Sequence, residues 1–550
     1  MVYMKLVESP FVEGSGYKDG IYYSKRPFLP IPEDPYLDLT SFVLDHPYMD
    51  RVALIDTPTG KSMTYAKVKQ LVYSVAAGLA DIGVKQGDVV MLLTPNGSHF
   101  PILVFAILSI GAVVTAVNPA NLSAEISRQA KDSDTKFVIS SPEVGGKVAA
   151  LKLPIILIDT IDGCDAAQAK GITPVAHLSE LYKGDPSRAP KVHIKQTDLA
   201  VLLYSSGTTG LSKGVKLSHR NALSACILTE EPSNDPNSQR SYLVPIPFYH
   251  VYGLIIVIAS QMKRGSKLII MPRFELRKFL ANIERYRATH LTLVPPILVA
   301  LAKSPLVDKY DLSSVDLIGV GAAPVGKELI HATSQRFKGV FLRQGFGMTE
   351  TCSVGVTTPI VANSEAPHGS VGIMAANMQA KIVDLDSGKP LPPNQKGELW
   401  IRGPFVMEGY LNNEKATAET LDKDGWLHCG DIAYFDEAGY LFIVDRLKEL
   451  IKYNGLQVAP AELEGLLHSH PEILDVAVTG FPDEQTGQIP VAFVVRKSSS
   501  LTDEDVMSFV AKQVAPYKKV RKVFFVEIIP KSQSGKILRR ELKAPLPSKL

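Results

Sequence analysis

LAVLLYSSGTTGLSKGVKLSH, residues 199–219, is the stretch whose reading decides the fold. Residues 199–204 read as a buried strand, and GVKLSH from Gly214 reads as a second one. Between them lie Ser205, Ser206, Gly207, Thr208, Thr209, Gly210, Leu211, Ser212 and Lys213. Glycines and small hydroxyl residues let backbone N–H groups converge on an anion without an obstructing Cβ. The hydroxyls add donors and Lys213 adds a charge. This chemistry predicts a triphosphate cradle at a strand end. It is not a Walker A loop, because GxxxxGK[ST] cannot be fitted and a strand follows where a helix would be required.

Working outward, apolar runs at 136–140, 154–159 and 267–271 read as further buried strands, with helical patterns between them. The helix-like segment 274–290 before LTLVPP is one such case, and the alternation predicts parallel or mixed sheets covered by helices. Residues 100–117 run eighteen positions without a charge. Pro101 and Gly111 punctuate them, so a buried helix of about ten residues followed by a Val-rich strand is expected, not a membrane span. Beyond about residue 380 short strands and Gly turns predict a β-rich subdomain. From 446 to 550, strands at VAVTGF, VAFVV and KVFFVEII alternate with helical patterns, which predicts a small α+β domain after a large one at 1–445.

The 550 residues carry 59 Lys and Arg against 56 Asp and Glu, a balance too even to imply a nucleic-acid binder held by phosphate neutralisation. The last fifty residues are locally basic, with eleven cationic against five acidic side chains, which suits a small polyanion or a solvated face. Cys164, Cys226, Cys352 and Cys429 are dispersed and without CxxC spacing, arguing for reduced thiols over a zinc site or disulfide scaffold. The N-terminus has no secretory pattern. Ser548-Lys549-Leu550 matches the tripeptide read by the peroxisomal import receptor.

The phosphate loop, QGFGMTET (344–351), Gly430-Asp431, DRLKELIKYNG (445–455) and PKSQSGKILRREL (530–542) occur in one order. Together they make the chain resemble the adenylate-forming superfamily from about residue 35 to 545. Within it, the chain looks most like the plant 4-coumarate:CoA ligase and peroxisomal acyl-CoA synthetase-like group, with firefly luciferase more distant. The resemblance implies stacked α/β layers with a β-rich subdomain and a small mobile C-terminal domain. It also implies ATP, Mg2+ and CoA as reactants. The activity implied is AMP-forming ligation of a hydrophobic acid, hydroxycinnamic, aryl, fatty or oxylipin, to CoA in the peroxisome. A luciferase-like oxygenase or a non-catalytic nucleotide binder are the alternatives.

Residue by residue, the resemblance implies that Ser205, Ser206, Gly207, Thr208, Thr209, Gly210 and Lys213 hold phosphates, with Thr349 at the α-phosphate. Glu350, with Thr208, would hold the metal. Gln344, Gly345, Phe346 and Gly347 would border the nucleotide, and Phe346 departs from the usual Tyr. Asp431 and Arg446 can serve one ribose diol, as acceptor and donor. Lys536 would bridge the attacking carboxylate and the α-phosphate. Lys448 is implied as hinge, Lys452 and Gln457 as catalytic residues, and Lys452 and Gly455 as CoA contacts, with Asn454 replacing the familiar Lys. His250 is implied near the substrate carboxylate. Tyr249, Gly321, Ala322, Ala323, Gly345 and Gly347 are candidates for the acid pocket, since small residues leave room for a ring or chain.

Overall fold

The computed structural model describes residues 14–159, 172–205, 212–229, 238–322, 325, 327–357, 366–367, 369–453, 456–483, 486–532 and 535–542. Ser206, Gly207, Thr208, Thr209, Gly210, Ala323, Gly455, Ser548, Lys549 and Leu550 lie outside the described residues, as does the side chain of Gln457.

Why the chain folds in layers is visible in the charge-free run. His99–Ser109 forms a helix whose residues from His99 to Leu108 are all buried, and Val113–Ala116 is a fully buried strand. Each fully buried aliphatic or aromatic side chain here is worth about 1.5–3 kcal/mol, so the segment can anchor a core without lipid. Tyr65–Asp81 packs against that helix and buries Val68, Leu71, Val72, Val75 and Leu79 at helical spacing, after Thr64 caps the backbone N–H of Lys67. No helix among the described residues is long and apolar enough to cross a membrane.

Two large sheets carry the first lobe. In the eight-stranded sheet, Leu199–Ser205 runs parallel to Val113–Ala116, then Val89–Leu93, Thr135–Ser140 and Ile155–Leu157 continue outward. Lys213–Ser218 returns antiparallel, with Ser205 opposite Lys213, so the Ser/Gly/Thr loop joins a hairpin at the carboxyl end of a parallel strand. The nine-stranded sheet has a parallel core ordered Val52–Asp56, Lys267–Ile270, Ser241–Val244, His290–Leu293, Leu317–Val320 and Phe341–Phe346. The expected helix before LTLVPP is Leu276–Tyr286, buried through Phe279, Leu280 and Ile283.

The β-rich part is an antiparallel six-stranded sheet that adds Tyr17–Lys18 and Ile21–Tyr23 to the strands between Gln379 and Arg446. A five-stranded sheet forms the last lobe. Ile473–Asp483 and Gly487–Arg496 pair antiparallel, Lys522–Phe525 joins in parallel, and Pro460–His468 and Asp503–Ala511 are its helices. Its apolar clusters are separate from the large core.

Candidate active site

The carboxyl ends of parallel strands are where α/β sheets leave room for ligands, and here two sheets, the β-rich sheet and the last lobe meet around one cavity of about 830 Å³. The eight-stranded sheet contributes Ser205 and Lys213, and the nine-stranded sheet contributes Gly321, Ala322, Gly345, Phe346, Gly347, Thr349 and Glu350. Gly430, Arg446 and Lys448 arrive from the third sheet and the segment after it, and Lys536 from the last lobe.

Glu350 is buried on a single helical turn just beyond the end of Phe341–Phe346. Its Oε1 accepts hydrogen bonds from Ser205 Oγ and from the Tyr410 hydroxyl, each at 3.0 Å. One carboxylate is thereby fixed between the end of the strand Leu199–Ser205 and the β-rich part of the chain. The Lys213 ammonium lies over the Tyr410 ring at 4.7 Å. Asp431 and Arg446 sit opposite each other on adjacent antiparallel strands, with Arg446 Nε 3.4 Å from Asp431 Oδ1. Burial pushes the Asp431 carboxyl up to about 6, against the pull of Arg446 and Lys536.

Lys536 is placed by a tight loop. The Lys536 N–H donates to Ser532 Oγ at 3.1 Å, and the Ser532 and Gly535 N–H groups donate to the carbonyls of Lys536 and Ser532, both at 2.8 Å. Gly535 has φ +80°, and a Cβ there would stand 2.7 Å from Cδ of Pro296 in the large lobe. Only glycine lets the loop approach so closely. Burial, with repulsion from Arg446, holds the Lys536 ammonium down at about 8, while Glu449, Asp431 and Glu350 oppose that shift. The lobe's basic loop is braced by Arg539, which reaches Glu449 at 3.2 Å and Glu464 at 3.0 Å.

His250 also faces the cavity, and burial keeps its imidazole neutral down to about 4. The chain then winds into a wide π-helical segment, Tyr252–Ala259, a form frequent at functional sites. Gly253 makes this bend possible, since a Cβ would lie 2.2 Å from the Pro247 carbonyl oxygen.

Of the residues expected at the acid pocket, Gly321, Ala322, Gly345 and Gly347 line the cavity. Tyr249 packs against the core and is not in the lining, while Tyr252 is. A Cβ on Gly321 would come within 3.8 Å of the Tyr252 ring, so that ring forms the wall facing the small residues. Asp431 adjoins the lining through Arg446, whose Nε is 3.4 Å from its Oδ1. Lys452 is exposed on a hairpin opposite Gln457 and lies outside the cavity. Sequence reasoning missed Tyr252, Glu398, Tyr410 and Arg343. The alternation of strand positions, Arg343 two residues before Gly345, was the signal that could have found the last.

A cavity of this size, walled by the buried Glu350 carboxylate, by Arg446 paired with Asp431 and by a lysine brought from another lobe, has the cationic and acceptor groups of a site for a polyanion. Residues 44–411 match the model of the AMP-binding enzyme family, and residues 462–536 match that of the AMP-binding enzyme C-terminal domain. The chain belongs to the AMP-binding enzyme family. It is 44% identical over 546 residues to "Probable CoA ligase CCL5" of Humulus lupulus, covering 98% of each chain. It is also 44% identical over 527 residues to "Peroxisomal OPC-8:0-CoA ligase 1" of Arabidopsis thaliana, covering 95% of each. Among solved structures, ATP-bound MatB from Rhodopseudomonas palustris superposes with TM-score 0.81 at 27% identity, over 92% of this chain and 97% of that one. The Bacillus subtilis o-succinylbenzoate CoA synthetase in complex with its acyl-adenylate gives 0.76 at 26% identity, over 92% and 98%.

Proposed function

We infer that this chain is an AMP-forming acid:CoA ligase, and the observation that carries this reading is the presence of Lys536 in the same cavity as Glu350 and Arg446. A carboxylate oxygen attacks the α-phosphorus of MgATP, the bond to the bridging pyrophosphate oxygen breaks, and an acyl-adenylate and pyrophosphate result. In the second step the CoA thiol loses its proton, its sulfur attacks the acyl carbon and AMP leaves. The obstacle in the first step is an anion approaching a polyanion, which a fixed array of cations and N–H dipoles overcomes.

Lys536 supplies the charge at the reacting phosphorus, and Thr349 and the 205–213 loop, including Thr208, hold the phosphates. Mg2+ bound with the nucleotide would be held by Glu350 and would offset phosphate charge. No group of three or more His, Cys, Asp or Glu residues able to hold a metal occurs among the described residues. A single hard carboxylate, Glu350, beside phosphate oxygens suits Mg2+, which keeps most of its shell from phosphate and water. Asp431 and Arg446 take the ribose hydroxyls, and the Phe346 ring borders the adenine. His250, neutral, orients the acid.

Lys448 serves as hinge between a lobe at 1–445 and a lobe at 446–550. Rotation about it withdraws Lys536 and brings Lys452, Gly455 and Gln457 toward the thiol, which accounts for Lys452 standing outside the cavity in this arrangement. The C-terminal Ser548-Lys549-Leu550 addresses the protein to peroxisomes. ATP–pyrophosphate exchange dependent on added acid, followed by thioester formation with CoA, tests the chemistry. Exchange that needs no acid, or none with any acid, refutes it. A reporter fused to the N-terminus should be punctate and turn diffuse when the last three residues are removed.

A further inference from the structure

One wall of the cavity is built on an irregular strand. In the antiparallel pair Gly397–Arg402 and Leu427–Phe435, Glu398 lies opposite Ile432 and Trp400 opposite His428, so Leu399 alone faces Cys429, Gly430 and Asp431. Such a bulge disrupts the ladder, bends the strand and re-aims a side chain. Gly430, in the middle of it, has φ +69°, the left-handed region that favours glycine. The next residue is Asp431, which meets Arg446 on the strand beyond.

Side chains hold this bulge where the ladder does not. The Gly430 N–H donates to Glu398 Oε1 at 3.2 Å, and the Gly430 carbonyl accepts from the Leu447 N–H at 2.8 Å. Glu398 Oε2 accepts from Trp400 Nε1 at 2.9 Å, and the Trp400 ring is stacked on that of His428, with centroids 3.8 Å apart and planes 10° from parallel. The carboxylate is thus locked by its own strand before it grips the opposite one. Glu398, Cys429, Gly430, Arg446 and Leu447 all line the cavity. A hydrogen bond to an ionised acceptor is roughly twice as strong as one between neutral groups. Loss of the carboxylate would release the Gly430 N–H, and with it the direction in which Asp431 points.

We propose that Glu398 is a positioning residue for the nucleotide sugar: through the Gly430 N–H it holds the bulge in the shape that aims Asp431 at the ribose hydroxyls. The inference rests on the ligase reading above only through the ribose role given there to Asp431. Glu398 acts without touching the substrate. Its effect falls on binding that the ground state and the transition state share, because the ribose hydroxyls stand apart from the bond that breaks.

The test titrates the full-length enzyme calorimetrically with MgATP and with the Mg2+ complex of 2′,3′-dideoxy-ATP, which keeps the adenine and the triphosphate and lacks both hydroxyls. The wild type should prefer ATP by about 10²-fold or more, since a site built for a hydroxyl rejects the analogue lacking it. In Glu398→Ala the affinity for ATP should fall about tenfold and that for the dideoxy compound should stay, so the preference shrinks by the same factor. Glu398→Gln keeps an acceptor for Gly430 and should recover most of it. In Gly430→Ala the methyl enters open space and only the positive φ is strained, so the preference should shrink there too, with the carboxylate still present. In acid-dependent exchange Glu398→Ala should raise KM for ATP and leave kcat within about threefold of wild type. Equal losses for both nucleotides, a lowered melting temperature with the preference intact, or a wild type without the preference overturns the inference. A wild type that shows the preference and exchanges pyrophosphate with no acid overturns the ligase reading alone. No binding of ATP by the wild type overturns both.

Discussion

Replacing Lys536 by Ala should abolish most adenylation while sparing the fold. The lysine is the cation that the last lobe delivers to the cavity, close enough to Arg446, Asp431 and Glu350 for their charges to move its proton affinity. Loss of one preorganised donor at a transition-state oxyanion costs about 10²–10³ in rate, or about 2.7–4 kcal/mol. Folding should not suffer. The ammonium titrates near 8 in the folded chain against 10.5 for an ordinary lysine. Its folded value is depressed, so between those limits the unfolded chain binds more protons and stability rises with pH. Below pH 8 the charged side chain costs the folded state on the order of 3 kcal/mol, which the variant is spared. The assay is acid-dependent ATP–pyrophosphate exchange beside a thermal melt at pH 7. A variant melting no lower than wild type and exchanging at least about 10²-fold more slowly is expected. Exchange within roughly threefold of wild type in a folded variant would refute the reasoning.

Four further outcomes follow from the same geometry. Gly535→Ala sets a methyl against the Pro296 ring and strains a positive φ, so exchange should fall while thioester formation from supplied acyl-adenylate is spared; equal losses in both steps would contradict the docking role. With the Asp431 carboxyl near 6, ribose binding should weaken as protonation removes its charge. KM for ATP then climbs as pH drops below about 6, and in Asp431→Asn that pH dependence should be gone. Arg539→Ala leaves Glu464 and Glu449 without their shared cation in the last lobe and should lower stability by about 3–5 kcal/mol, measured by denaturant unfolding. Glu350→Gln keeps an acceptor for Ser205 and Tyr410 but loses the charge, so its Mg2+ requirement should rise at unchanged melting temperature.

The layered fold was legible because its elements are local. The charge-free run at 100–117 could only be buried, and Gly111 divided it where the helix His99–Ser109 gives way to the strand Val113–Ala116. The hairpin around the phosphate loop was equally clear, since hydrophobic periodicity and turn chemistry are properties of neighbouring residues. Ser205, Glu350, Arg446 and Lys536, which share one cavity, were reached through separated motifs whose order matched a known family. Which of two neighbouring tyrosines lines the cavity was not legible. Tyr249 and Tyr252 flank His250 within one short segment, and only Tyr252, the first residue of the π-helical turn, is in the lining.

What the sequence by itself determined, then, was the set of elements and the chemistry available at their ends. Tertiary structure alone decided which distant groups share one space. Arg343 is an unremarkable cation along the chain, and strand register, which sets it opposite Gly319, places it in the cavity that Lys536 enters from another lobe. Periodicity records which side of an element faces inward. It holds no record of what stands opposite, because that is fixed by the order of strands across a sheet and the docking of one lobe on another.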